Sequence, residues 1–250
     1  MLFDKLLYHL VNLIFQKNFD KEIRKTIKNK KRIVVFDVGC YRGTFTNKIL
    51  DLLDKQKYTF YLFDVNRKVK DYLSNLTKLK NIHFNEVALT NKKGVSNFNY
   101  NNVFESAGSS LSNLVKDDKK WNNSRKFFVG LFFSNKKGYS KYKVVTDTLD
   151  NFSKKNKIKF IDILKIDVEG SEHDLLMGAK SMLKKNKIKT IQVEILEKKN
   201  KFMKKEKKIL SFLEKNNFSL IKKVNIQSIS MFSDIKGGDY LLINKSNLNS

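Results

Sequence analysis

Residues 163–179 read ILKIDVEGSEHDLLMGA and combine charged side chains with an apolar, strand-like run. Lys165, Asp167 and Glu169 alternate with isoleucine and valine, and a strand sends alternate side chains to one face. A lysine and two carboxyl groups held close together can titrate as a unit, orient a hydroxyl group, take its proton or hold a divalent ion. Gly170 then permits a tight turn into a helix. This segment is the first candidate for catalytic chemistry.

A second candidate is the sequence FDVGCYRGTF, in which an apolar run ends in glycines. Gly39 and Gly43 stand where a strand gives way to a helix, so the backbone can approach a ligand and free amide groups at the helix start can face it. Asp64 ends the next apolar run about 20 residues later, the offset at which an acid binds ribose hydroxyls in nucleotide-binding folds. Together these residues predict a nucleoside ligand.

Asp37 helps to choose among nucleosides. It ends the first predicted strand, where its charge would repel a pyrophosphate and attract sulfonium and ammonium groups. The chain has no GxxxxGK sequence and no complete GxGxxG sequence, so ATP and dinucleotides fit less well. S-adenosylmethionine agrees best with these residues. The alternative for Asp37 is a structural acid that accepts hydrogen bonds from turn amides.

The order of strands and helices predicts how these segments meet. Strand-like and helix-like patterns alternate through residues 32–90 and again from about 158, with helices expected over about 171–185 and 200–215. This alternation predicts an α/β fold with a mostly parallel sheet and helices on both faces. Seven strands can be counted, the last two forming an antiparallel pair. Ligands of such sheets bind at the carboxyl ends of the strands, here where the first and fourth strands meet.

We expect an N-terminal extension and one main domain. Residues 1–30 begin with MLFDKLLYHLVNLIF, which predicts an amphipathic helix that packs on the domain or on a second subunit, with peripheral membrane contact as the alternative. Residues 31–246 form the α/β domain, interrupted by an insertion at about 94–160 that contains GSSL, Trp121 and KFFVGLFF. We expect the insertion to contact substrate, because loops over strand ends carry function; an edge-covering or disordered loop is the alternative.

Composition bears on partners and localisation. The 250 residues include 51 Lys+Arg and 25 Asp+Glu, a formal net charge of +26. This surplus would suit a nucleic acid, but abundant lysine, asparagine, isoleucine and phenylalanine without any proline indicate the codon bias of an AT-rich genome, so a nucleic acid is the less favoured partner. The single cysteine, Cys40, excludes an internal disulfide and fits the cytoplasm. A homo-oligomer is left open.

On these residues the chain resembles the FkbM family of S-adenosylmethionine-dependent methyltransferases. ILKIDVEGSEHDLLMGA is similar to the family's signature, FDVGCYRGTFT to its glycine motif and LFDVN to its second acidic strand end; EVALTNKKG, GSSL, VVTDTLDNF and IQVEI follow in the expected order. The likeness covers about residues 33–196. It implies a class I methyltransferase (Rossmann-like) fold and methylation of a hydroxyl on a sugar, a glycan or another small polar acceptor.

The resemblance also implies roles for individual residues. The cofactor would be bound by Asp37, Gly39, Tyr41, Gly43, Asp64 and Ala88. Asp37 and the glycine loop would hold its methionine end, Asp64 its ribose, and Ala88 would lie near its adenine. Asp167 and Glu169 would position or deprotonate the acceptor, directly or through a divalent metal ion, with Lys165 tuning them. Glu172 matches an acid of the family, and capping of the turn is an equal alternative.

Two other functions stay open at this point. Ribose 2′-O-methylation of a nucleic acid agrees with the basic charge and the Lys/Asp/Glu set, but it needs a second, distant lysine that the sequence does not identify. A catalytically inactive methyltransferase fold used as a binding subunit is the other alternative. Intact acids at the ends of the first, second and fourth predicted strands argue against it.

Overall fold

The computed structural model describes residues 19–102, 109–112, 139–198, 204–226 and 235–247. The strands are β1 (Arg32–Val38), β2 (Lys57–Phe63), β3 (Ile82–Asn85), β4 (Ala88–Leu89), β5 (Gly94–Asn101), β6 (Tyr139–Asp147), β7 (Ile161–Ile166), β8 (Ile188–Lys198), β9 (Phe218–Ile226) and β10 (Ile235–Asn244). The α-helices are α1 (Asp20–Ile27), α2 (Thr44–Leu52), α3 (Val69–Tyr72), α4 (Leu149–Lys155), α5 (Glu172–Met177), α6 (Lys180–Lys184) and α7 (Lys204–Lys215). Short 3-10 helices cover Leu76–Lys78 and Lys245–Asn247.

The main sheet has seven strands in the order β3-β2-β1-β7-β8-β10-β9. Strands β3, β2, β1, β7 and β8 are parallel to one another, whereas β10 lies antiparallel between β8 and β9. The seven-stranded, mostly parallel sheet and the antiparallel final pair are therefore confirmed. The prediction that the first and fourth strands are adjacent is also confirmed, because Asp37 of β1 lies opposite Lys165 of β7.

Both faces of this sheet are buried at its centre, as parallel strands require. All six residues of β7 are buried. Ile163 packs in one hydrophobic cluster with Ile23 of α1 and Ile49 of α2, and Leu164 packs in the other with Leu176 of α5. Each fully buried Leu or Ile side chain contributes about 1.5–3 kcal/mol, so these two layers hold the carboxyl ends of the strands in fixed positions.

The predicted insertion forms part of a second, smaller sheet. Its order is β4-β6-β5, with β4 parallel and β5 antiparallel to β6. The strand expected over NIHFNEVAL is therefore divided between the two sheets. Val65, Phe98 and Val144 form the small cluster between this sheet and the end of β2. Trp121 and the KFFVGLFF run lie outside the described residues.

Two helix predictions need correction or qualification. The single helix expected over about 171–185 is wrong, because α5 ends at Met177 and α6 begins at Lys180. Gly178 separates them where a Cβ atom would lie 2.0 Å from the carbonyl oxygen of Thr90. Of the N-terminal extension, α1 is described, and the amphipathic helix expected from MLFDKLLYHLVNLIF lies outside the described residues. Within the described part of the chain, no helix is long and apolar enough to cross a membrane.

Candidate active site

The glycine loop after β1 lies against the end of β7. Gly39 has a φ of 80°, in the left-handed region, and a Cβ atom there would lie 1.7 Å from the carbonyl oxygen of Asp167. The amide of Asp167 donates to the carbonyl of Val38 at 2.9 Å. Only glycine permits so close an approach at this φ. The two predicted motifs are therefore in direct backbone contact.

The second glycine of the loop sets the start of α2. Gly43 precedes the helix with a φ of 70°, and its amide donates to the carbonyl of Cys40 at 2.7 Å. A Cβ atom would lie 2.4 Å from the side chain of Leu76. Between the glycines, Tyr41 has a φ of 41° and its ring lies 5.5 Å from that of Tyr72. The loop is thus closely packed and brings backbone amides to the carboxyl edge of the sheet.

Asp64, immediately after β2, ties the end of that strand to the glycine loop. Its carboxylate accepts the amide of Tyr41 at 2.9 Å through Oδ2 and the amide of Asn66 at 2.9 Å through Oδ1. The amide of Val65 is a third backbone partner, and a carboxylate offers about four lone-pair positions, so about one is left for a ribose hydroxyl. Burial raises the pKa of Asp64, and the backbone amides oppose that effect.

Asp37 is buried, with 1% of its surface exposed. The hydroxyl of Thr46 in α2 donates to its Oδ2 at 2.7 Å. Burial raises the pKa of this carboxyl group to about 6, although the Thr46 hydrogen bond and the charge of Lys165 lower it in part. Asp37 thus supports the loop from inside the domain, and its contact with the methionine end of a cofactor stays a prediction.

Lys165 and Asp167 form the centre of the site. Lys165 Nζ lies 3.2 Å from Asp167 Oδ2 and 3.8 Å from Oδ1 of Asp239, a residue of β10. Burial opposes the charge of Lys165, but the surrounding carboxyl groups outweigh burial and raise its pKa. Burial likewise opposes the charge of Asp167, yet Lys165 and hydrogen bonds lower its pKa. The Lys165 side chain is 9% exposed and that of Asp167 35%, so an incoming ligand can reach the carboxylate while the lysine stays enclosed.

Glu169 does not continue the alternation of the strand. Strand β7 ends at Ile166, and Glu169 lies in the following turn with a φ of 51°. The expectation that strand alternation aligns Lys165, Asp167 and Glu169 on one face is therefore wrong for Glu169, because the extended backbone ends before it. Its charge still contributes to raising the pKa of Glu194, which places it near the same cluster.

The turn after β7 is fixed by an acid and a lysine. Glu172 Oε1 accepts the amide of Gly170 at 2.6 Å, and Oε2 forms an ion pair with Lys205 of α7 at 2.5 Å. Lys205 Nζ also donates to the carbonyl of Gly170 at 2.8 Å. The Glu172 side chain is 1% exposed, so it acts as a structural cap of the turn. The sequence alone did not point to Lys205.

The insertion reaches the same turn through the GSSL segment. The hydroxyl of Ser110 donates to the carbonyl of Val168 at 2.8 Å, and the Ser110 backbone exchanges two hydrogen bonds with Asn99 of β5. Ala88 lies in β4 and packs against the small cluster that contains Val65, the residue after Asp64. This location agrees with the predicted position of Ala88 beside a nucleoside, and its contact with adenine stays a prediction.

Two acids of the site were not identified from sequence. Glu194 of β8 lies opposite Asp239 of β10, and Gln192 lies opposite Lys165. The carboxyl groups of Glu194 and Asp167 lie within reach of a shared hydrogen bond, as do the side chains of Gln192 and Asp239. A signal was present in IQVEI, where polar residues alternate with apolar ones in an otherwise buried strand.

The donor groups do not favour a metal ion. Among the residues that the structure describes, no group of three or more His, Cys, Asp or Glu side chains is arranged to hold one. The position beside Asp167 that a cation would take belongs to the ammonium group of Lys165. Metal binding by Asp167 and Glu169 therefore gains no support from this geometry.

Comparison with known proteins agrees with the fold and the motifs. The sequence model described as the methyltransferase FkbM domain matches residues 37–220. No curated protein sequence matches the chain. A solved structure of methyltransferase FkbM from Methylobacillus flagellatus is similar over 84% of this chain, with a TM-score of 0.50 and 10% identity. This chain spans 44% of the length of that protein.

Two further solved structures are similar at lower scores. A putative rRNA-methylase from Clostridium thermocellum has a TM-score of 0.44 and 9% identity, with 89% of this chain and 93% of that chain covered. Fibrillarin from Aeropyrum pernix, solved with natively bound S-adenosyl-L-methionine, has a TM-score of 0.45 and 10% identity, with 86% and 67% covered. The structural comparison with the Methylobacillus protein supports the class I methyltransferase fold.

Proposed function

Because this chain belongs to the FkbM methyltransferase family, we propose that it transfers a methyl group from S-adenosylmethionine to a hydroxyl group of a sugar, a glycan or a related small polar acceptor. One observation carries the proposal. The backbone contact between Gly39 and Asp167, together with the hydrogen bond from the Tyr41 amide to Asp64, brings the glycine loop and Asp64 close to the partly exposed carboxylate of Asp167.

The residues present fit the cofactor. Gly39 and Gly43 keep side-chain atoms out of the loop, and Asp64 retains a lone pair for a ribose hydroxyl while backbone amides hold it in place. Asp37 adds a buried negative charge behind the loop, on the side proposed for the ammonium and sulfonium groups. When bound, S-adenosylmethionine supplies a methyl group on a positively charged sulfur that a nucleophilic oxygen can attack.

Asp167 is the residue that we assign to the acceptor. Its exposed carboxylate oxygen would accept the hydrogen bond of the acceptor hydroxyl, orient that oxygen for in-line attack and take up its proton as the new C–O bond forms. Lys165 would keep Asp167 ionised and fixed from the buried side. Glu169, in the adjoining turn, would help to position the acceptor, and Ser110 holds that turn from the insertion.

We further propose a cytoplasmic location and an acceptor smaller than a nucleic acid. The free, buried thiol of Cys40 fits a reducing compartment. The functional centre described above is acidic around one lysine, whereas contact with a phosphate backbone depends on lysine and arginine groups. A second copy of the chain, or a membrane surface, stays an open partner for the N-terminal segment.

Isothermal titration with S-adenosylmethionine tests the cofactor. We expect the folded protein to bind it, the Asp64→Asn variant to bind at least about tenfold more weakly, a loss of about 1.4 kcal/mol, and the Asp51→Asn variant to match the parent. Asp51 is an exposed acid of α2 and serves as the matched control. Absence of binding by the parent protein would contradict the proposal.

The acceptor requires a separate measurement. We expect methyl transfer from isotopically labelled S-adenosylmethionine to neutral hydroxylated sugars, detected by mass spectrometry of the product. Binding to RNA with a steep dependence on salt, together with methylation of its ribose, would instead establish the nucleic-acid alternative.

A further inference from the structure

The polar face of β8 continues the site beyond the residues that define the family motif. Gln192 and Glu194 lie on one face of the strand, whereas the alternate residues Ile191 and Val193 pack in the hydrophobic cluster of the other face. Antiparallel pairing sets Glu194 directly opposite Asp239. Strands β7, β8 and β10 thus place side chains around a single lysine.

The carboxyl groups in this cluster outnumber its single ammonium group. Glu194 faces the charged or titratable groups of Asp167, Asp239 and Glu169, and it lies within the electrostatic reach of Lys165. Four neighbouring carboxyl groups and one ammonium group cannot all be ionised at low cost inside a protein. At least one carboxyl group therefore keeps its proton.

The ion pairs of Lys165 identify the group that keeps it. Among the described residues, Lys165 pairs with Asp167 and Asp239 and not with Glu194. A protonated Glu194 can donate to Asp167, whereas two ionised carboxylates have no donor between them. Asp167 lies 3.2 Å from the ammonium of Lys165, which favours its ionised form. Glu194 has Asp239 opposite it instead. The proton therefore belongs on Glu194.

We propose that Glu194 is a positioning residue that carries a proton and donates it in a hydrogen bond to Asp167, so that Lys165 and Glu194 together hold the Asp167 carboxylate with its remaining lone pairs directed at the acceptor. This inference rests on the proposed function, in which Asp167 receives the acceptor proton. Methyl transfer from the sulfonium to a hydroxyl oxygen releases one proton, and the Asp167–Glu194 pair takes it up and becomes neutral.

The arrangement also limits the acceptor class. The exposed side of Asp167 offers only hydrogen-bond acceptors, so the reacting atom must bring its own proton, as a hydroxyl or an amine does. A second carboxylate or a phosphate beside the reacting atom would meet the acidic cluster and be repelled. We infer that the acceptor is neutral or cationic at the site of methylation.

The protonation of Glu194 can be measured without knowing the acceptor. Protein labelled with 13C at glutamate side-chain carboxyl carbons is titrated by NMR, in the parent chain, in Glu194→Gln and in Glu214→Gln. Glu214 is an exposed acid of α7 and provides the control. We expect one glutamate to retain the protonated chemical shift at pH 7 in the parent and in Glu214→Gln, and that signal to be absent from Glu194→Gln. Ionisation of every glutamate at pH 7 would overturn the inference.

A second comparison separates a positioning role from a merely structural one. Glutamine at 194 can still donate to Asp167, whereas alanine cannot. We expect Glu194→Gln to fold and to bind S-adenosylmethionine with parental affinity, and methylation of a hydroxylated acceptor to fall at least tenfold further in Glu194→Ala than in Glu194→Gln. Equal turnover in the two variants would also overturn the inference. Absence of cofactor binding by the parent protein would instead refute the proposed function. The NMR result on Glu194 does not depend on cofactor binding.

Discussion

Replacing Gly39 by alanine tests the contact on which the site depends. The new methyl group would lie 1.7 Å from the carbonyl oxygen of Asp167, and that oxygen belongs to the backbone, so no side chain can move to make room. At a φ of 80°, a residue with a Cβ atom also costs about 1–2 kcal/mol relative to glycine. Forcing a methyl group into filled space costs about 1–3 kcal/mol more. We expect Gly39→Ala to lower the free energy of unfolding by about 2–5 kcal/mol.

Gly178→Ala is the matched control for this prediction. Its Cβ atom would lie 2.0 Å from the backbone oxygen of Thr90, but Gly178 has a φ of −78° and lies between α5 and α6. Only the packing cost of about 1–3 kcal/mol applies there. Urea unfolding followed by circular dichroism measures both losses of stability.

Cofactor binding distinguishes the two glycines further. Because Gly39→Ala separates the glycine loop from the end of β7, we expect its affinity for S-adenosylmethionine to fall at least about tenfold in calorimetry. The affinity of folded Gly178→Ala should stay within about threefold of the parent, since a change under 1 kcal/mol is expected away from the site. If Gly39→Ala retained both parental stability and parental affinity, the close approach of the two motifs would be refuted.

Three further perturbations have defined outcomes. Lys205→Met leaves the buried carboxylate of Glu172 without its cation and should destabilise the chain by about 3 kcal/mol in urea unfolding, whereas exposed Lys207→Met should change stability by less than about 0.5 kcal/mol; similar losses would show that the ion pair does not hold the turn. Burial raises the pKa of Asp37 to about 6 in the folded chain, so stability should fall by about 3 kcal/mol as the pH rises from about 3 to 7. Asp37→Asn should remove that part of the pH dependence, and an unchanged profile would contradict the assignment. Burial also raises the pKa of the Cys40 thiol, so iodoacetamide should label it slowly until urea unfolds the chain, as mass spectrometry would report; rapid labelling of the native protein would contradict this.

The sheet could be predicted because its signals are local and repeated. Apolar, β-branched runs such as the one that ends at Asp37 alternate with helix patterns, and this alternation determines a parallel sheet. The break at Gly178 was not predicted, because its cause is the backbone of Thr90, which is distant in sequence. The separation of β4 from β3 was missed for a similar reason, since β4 pairs with β6 across the whole insertion.

The site could be predicted only where the chain itself aligns the residues. Lys165 and Asp167 are two positions apart in one segment, and their 3.2 Å contact follows from that spacing. Glu169 falls beyond the last strand residue, a boundary that sequence patterns place only within a few residues. Glu194 and Asp239 enter the site through the register between β8 and β10, which no sequence pattern in either strand specifies.

The buried lysine explains why these distant acids belong together. Burying an ammonium group is costly unless charged or hydrogen-bonding partners surround it, and Lys165 has Asp167 at 3.2 Å and Asp239 at 3.8 Å. Two carboxyl groups near one lysine repel each other, and the shared proton of Glu194 reduces that repulsion at Asp167. The three strands therefore contribute an interdependent set, in which removing one member changes the charge of the others and mutational effects do not add. The same interdependence leaves Asp167 ionised, fixed and partly exposed, which is the state that a proton acceptor for a hydroxyl group requires.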